Sequence, residues 1–95
     1  MPLKTTKFEP ERHFKTATAQ RDLLQDAFSS GDAGYIADAL GIVARTRGMT
    51  QVAERAGVTR MALYKGLTKS GDPKLSTVLG VLRAAGFDLA VKKSA

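Results

Sequence analysis

The chain has 95 residues, 43% of them hydrophobic and 25% charged, with a formal charge of +6 and no cysteine. A domain of this size buries only about 60–65% of its unfolded surface, enough for one core but not for a cleft within a second layer. The composition excludes wholesale disorder, disulfides and thiolate zinc sites, and the lack of any apolar run near ~20 residues excludes a membrane-spanning helix.

Residues 1–16 are polar, with Phe8, Pro10 and Phe14 spaced through them, and read as an arm that docks its aromatics. The first fourteen residues, MPLKTTKFEPERHF, have lysines but no apolar run behind them, so no secretory signal is read there. With the absent cysteine, this makes the cytoplasm the expected location. Residues 17–95 are expected to form a single domain, mainly α-helical.

A helix is predicted from about Thr18 to Ser29, with Leu24, Ala27 and Phe28 on one stripe and Leu23 beside it. Ser30-Gly31-Asp32 ends it, and Asp32 can cap the next helix. Ile36, Leu40 and Val43 recur at helical spacing up to Gly48, and Gly41 within that run offers room for a close helix contact. Two short helical runs follow, Thr50–Ala56 and Arg60–Leu67, and then a turn cluster, Ser70-Gly71-Asp72-Pro73. Leu75, Val78, Leu79 and Leu82 make a further stripe that ends at Ala85-Gly86. Phe87, Leu89 and Val91 alternate with Asp88 and Ala90, which reads as a short strand in need of a partner.

The positive charge is focused. Residues 1–42 sum to −1, whereas residues 43–74 carry Arg45, Arg47, Arg55, Arg60, Lys65, Lys69 and Lys74 against Glu54 and Asp72, a net of +5. A basic surface of this kind favours polyanions, because binding neutralises phosphates and releases counterions. On charge alone a solvated basic face accounts for the pattern equally well.

Residues 49–68 add a more specific signal. Val52, Ala56, Val58 and Leu63 are apolar, Ala53 is small and Gly57 interrupts the helix. Two helices crossing steeply after a short turn need this arrangement: a small residue at the crossing and glycine where the turn benefits from positive φ. Thr59 is the expected N-cap of the second helix. Leu63 and Leu67 then face inward and Arg60, Met61, Tyr64 and Lys65 outward. A helix of this kind reads base edges in the major groove with its N-terminal residues. Thr59, Arg60, Met61, Tyr64 and Lys65 are therefore the candidate base contacts, Arg60 through guanine O6 and N7, Met61 through a thymine methyl. Thr50 and Gln51, together with the flanking Arg45, Arg47, Lys69 and Lys74, are the candidate phosphate contacts. Tyr64 as half-buried core and Met61 as passive surface are the plainer alternatives, and Gly66 departs from the pattern where an apolar residue is usual.

The segments ARTRGMTQVA, AGVTRMALYKGL, SGDPKLSTV and VLRAAGF occur in this order over residues 39–89, after FEPERHF and SSGDAGYIADAL. In these the chain resembles the HigA-like addiction-module antidotes (antitoxins) of the Cro/phage-repressor helix-turn-helix family. The resemblance implies a five-helix DNA-binding domain with its helix-turn-helix at about 49–68. It implies a homodimer on double-stranded, palindromic operator DNA, repressing its own operon. It also implies a toxin partner: a small basic protein, commonly an mRNA-cleaving ribonuclease. No motif carries the toxin contact, although Asp22, Asp26, Asp32 and Asp38 could meet a basic protein, with a plain solvated face as the alternative. A stand-alone prophage-type repressor and a protein–protein interaction module are the competing functions. Catalytic, metal-binding and cofactor-binding residues are not expected: His13 is the only histidine, and no glycine-rich phosphate loop is present.

Overall fold

Two polar side chains set the helix starts that frame the domain. In the computed structural model, which describes residues 10–94, Thr16 accepts a hydrogen bond from the Ala19 N–H and opens helix α2, Ala17–Ser30. Asp32 accepts from the N–H groups of Gly34 and Tyr35 and opens α3, Ala33–Arg47. Each cap satisfies backbone donors that the first helical turn leaves without partners. A four-residue helix, α1, covers Pro10–His13 ahead of them. The arm expected over 1–16 thus includes a turn of helix, and α1 packs on α3. The role expected for Phe8 falls outside the described residues.

Helices α4 (Met49–Ala56), α5 (Arg60–Gly66) and α6 (Leu75–Ala84) complete the domain. The described residues are all-α: five helices of seven residues or more follow the short α1. The strand expected at Phe87–Val91 is absent, since residues 87–94 form no strand among the described residues. The alternation there is real, but a strand exists only by pairing, and no described segment lies alongside to pair with it.

α3 is the central helix and packs against all five others. Its residues 39–44 are buried without a break, which is what a helix surrounded on several sides requires. Leu24 and Ala27 of α2, Leu40 and Val43 of α3, Val52 of α4, Leu63 of α5, Leu67, and Val81 and Leu82 of α6 form one core. α4 makes its most extensive contact with α6. Leu75, counted in the apolar stripe of α6, is 67% exposed. It is the first residue of that helix and stands clear of the packed face.

Gly41 allows α3 to approach the chain after α5. A Cβ at this position would run into the backbone carbonyl of Leu67. That close contact is why the helical cost of glycine is tolerated in the middle of α3.

Candidate nucleic-acid interface

The turn between α4 and α5 is built by Gly57, which takes φ 73°. The Val58 N–H donates back to the Ala53 carbonyl at 3.0 Å and the Gly57 N–H to the Glu54 carbonyl at 3.3 Å. This paired closure at a left-handed glycine ends α4 firmly and redirects the chain within three residues. Thr59 then accepts from the Ala62 N–H at 3.0 Å and starts α5. The expected turn residue and the expected cap are both in place.

α5 is fastened by its inner face. Leu63 is completely buried and Leu67, just past the helix end, is 1% exposed. Leu67 thus fills the inward position that Gly66 cannot. At 100° per residue, Arg60, Met61, Tyr64 and Lys65 fall on the other side, and all four are exposed. Met61 is 68% and Tyr64 48% exposed, so neither belongs to the core. The Arg60 guanidinium lies 5.7 Å from the Tyr64 ring centroid, and its NH2 is 3.4 Å from the Tyr64 hydroxyl. The i,i+4 pair leans the arginine along the helix instead of leaving it to sample solvent.

The flanking cations separate into three groups. Gln51, Arg47 and Arg55 line a polar recess of about 150 Å³ beside α4, with Thr50 exposed next to Gln51. Within it, Arg47 donates from Nε to the buried Gln20 and so is positioned from behind. Lys65 and Lys74 border a second recess, between α5 and the start of α6. Lys69 lies elsewhere, bordering a recess with Asp32, Tyr35 and Asp38. Arg45 is half-buried on α3. Arg55, counted in the sequence only as charge, joins Gln51 through the i,i+4 spacing of α4, a relation the sequence did contain. Among the described residues, Arg55, Arg60, Lys65 and Lys74 carry no ion pair. Asp72 lines the same recess as Lys65 and Lys74 without forming an ion pair with either.

Three of the four aspartates already have work within the domain. Asp32 caps α3, Asp26 accepts from the Tyr35 hydroxyl at 2.6 Å, and Asp22 lies 3.5 Å from Arg21. Tyr35 has its pKa raised above the ordinary tyrosine value, first by that hydrogen bond, then by desolvation and by the charges of Asp26 and Asp38. No group of three or more His, Asp or Glu side chains among the described residues is arranged to hold a metal ion. None of the described helices is long and apolar enough to cross a membrane.

An all-helical domain with a capped, cationic second helix after a tight turn is the class these features define. The model of the family described as "Probable addiction module antidote protein" matches residues 4–93. The chain belongs to that family. It is 32% identical over 87 residues to an uncharacterized protein of Haemophilus influenzae, covering 92% of this chain and 90% of that one. No solved structure matches it.

Proposed function

We propose that this protein is the antitoxin of a type II toxin–antitoxin module, of the HigA-like, Cro/phage-repressor type. It binds operator DNA as a homodimer through α5, represses its own operon and neutralises a small basic toxin of the mRNA-cleaving ribonuclease class by direct binding. The observation that carries the DNA reading is the exposed face of α5. Arg60, Met61, Tyr64 and Lys65 project from a helix anchored by the buried Leu63, and Arg60 and Lys65 carry no ion pair among the described residues. Arg60 held along Tyr64 loses less side-chain freedom on meeting a guanine edge than a free arginine would. Thr59 lies at the tip of the same helix, and Thr50, Gln51, Arg47, Arg55 and Lys74 are the phosphate-facing set. The acidic face bearing Asp26, Asp32 and Asp38 is the toxin's docking side, by charge.

Mobility-shift titration of the pure protein against duplex from upstream of its own coding sequence tests the first half. Tight, salt-dependent binding that outcompetes random duplex is expected. Equal affinity for every duplex, or none, overturns the operator reading. Co-expression with the product of the adjacent gene tests the second half. A stable complex and relief of growth arrest are expected. A protein that represses but captures no neighbour is a repressor alone.

A further inference from the structure

Arg60 and Tyr64 stand one turn apart on α5, and both are exposed. Side chains of a helix tilt toward its N-terminus, so the Tyr64 ring leans back over the residue four before it. The arginine lies along that ring. Its guanidinium carbon is 5.7 Å from the ring centroid, and its Nη2 donates to the phenol oxygen at 3.4 Å. The guanidinium makes no other hydrogen bond, ion pair or ring contact among the described residues. Tyr64 in turn is 48% exposed and stands outside the apolar core. Packing of the domain therefore gives no account of the tyrosine, whereas the arginine beside it does.

We infer that Tyr64 is a positioning residue that sets the sequence specificity of α5 more than its affinity. It reads no base itself. Its ring is the platform that keeps the Arg60 guanidinium turned to a base edge and away from the DNA backbone. This role rests on the operator reading above, and adds to it the group that decides between right and wrong duplexes.

Two destinations compete for an arginine at the start of a groove helix. One is the guanine edge, where O6 and N7 take two parallel N–H groups, and it depends on sequence. The other is a phosphate oxygen, which depends on charge and is present on every duplex. A free arginine serves both through its flexible stem. One held against a ring gives up part of that freedom before binding, and its planar fork keeps a fixed bearing. The N–H groups that Arg60 does not give to the phenol oxygen still suffice for the bidentate pair with guanine. Neither contact is strong in water: 3.4 Å is long for a hydrogen bond, and 5.7 Å is near the outer limit of a ring's attraction for a cation. Both strengthen once the groove expels water. The ring thus biases the arginine instead of locking it, and its removal frees Arg60 to turn to phosphate.

A double-mutant cycle of Arg60→Ala and Tyr64→Ala tests this. Binding is read on duplex from upstream of the coding sequence, on the same duplex with one G·C pair changed to A·T, and on random duplex. The pair to change is the one whose guanine N7 the wild-type protein shields from methylation and Arg60→Ala does not. Tyr64→Ala should lower discrimination against the A·T duplex about tenfold. Its affinity for random duplex should stay within about twofold, with the salt slope steeper by about one unit as Arg60 turns to phosphate. Tyr64→Phe, which keeps the ring, should recover part of the discrimination. In the Arg60→Ala background, Tyr64→Ala should change nothing further. Losses that add in the cycle would make Tyr64 a base contact in its own right and overturn the positioning role. Tyr64→Phe as indiscriminate as Tyr64→Ala, or weaker binding of every duplex at an unchanged slope, overturns it too. In each of these cases wild-type selectivity stands, and with it the operator reading. A wild-type protein that binds all duplexes equally, or none, overturns both. Circular dichroism checks that the helices are unchanged, as an exposed residue outside the core requires.

Discussion

Nε of Arg47 donates a hydrogen bond of 3.0 Å to Oε1 of Gln20, joining the last turn of α3 to the first of α2. Gln20 is 2% exposed, and its other end, Nε2, donates to the Phe14 carbonyl at 2.9 Å. One buried amide thus holds the segment before α2, the start of α2 and the point where α3 gives way to α4. A buried amide with both ends bonded is sustainable, and one with an end orphaned is costly.

Gln20→Ala removes both bonds and leaves a void. A loss of about 2–3 kcal/mol is expected, combining unsatisfied partners with lost packing. Urea unfolding should show a lower midpoint at unchanged slope. A midpoint within error of wild type would mean that water replaces the amide at no cost. Because Arg47 is aimed by Gln20, the variant should also weaken duplex binding modestly under conditions where it remains fully folded.

Arg60→Ala is expected to lower operator affinity by ~1–3 kcal/mol and to relax preference at one base pair. Lys74→Ala should weaken all duplexes alike and lower the salt slope by about one unit. Lys69→Ala should do less, since that lysine borders Asp32 and Asp38 instead of α5. Binding isotherms at several salt concentrations separate these effects. A sequence-selective loss from Lys74→Ala would move it from phosphate to base contact.

Much of this site was legible because its determinants are local. Asp32 and Thr59 cap because their oxygens reach N–H groups two or three residues on, and Gly57 turns because of its own φ. Leu63 and Leu67 face inward by helical period alone. What escaped the sequence depends on distant chain. No periodicity marks Gln20, a polar residue, as core. Lys69 belongs to a loop whose backbone carbonyl packs against Gly34, so its neighbours come from the start of α3. The 87–91 alternation was read correctly as a pattern and wrongly as a strand, because a pattern does not supply the partner.

Two glycines should separate contact from conformation. Gly41→Ala places a methyl group against the Leu67 carbonyl in the centre of the fold, where the backbone of α3 cannot yield. A loss of about 2–4 kcal/mol is expected, the range of overpacked cores and above. At Gly57 nothing lies within 4 Å of an added Cβ, but φ is 73°. Gly57→Ala should therefore cost only about 1–2 kcal/mol, from left-handed backbone strain. Thermal or urea unfolding of the pair checks the order, and the reverse order would contradict the close approach of α3 to Leu67.

The Tyr35 hydroxyl donates to Asp26 across the α2–α3 junction, and this bond dictates a pH response at the alkaline end. Ionising the phenol would break the bond and set an anion beside the Asp26 and Asp38 carboxylates, so the folded state holds the proton above the ordinary value of 10.0. A group whose pKa is raised by folding contributes stability that is intact below its unfolded value. That contribution is lost as pH rises through the folded one. Stability should therefore decline as pH climbs past about 10, and Asp26→Ala, which removes both the acceptor and the nearer charge, should flatten this component. Phenolate absorbance gives the direct reading: one tyrosine transition moves to lower pH in Asp26→Ala, and Tyr35→Phe removes that same transition. If Asp26→Ala left both tyrosine transitions in place, the hydrogen bond would be absent in solution, and the α2–α3 junction would be held by the Asp32 cap and apolar packing alone.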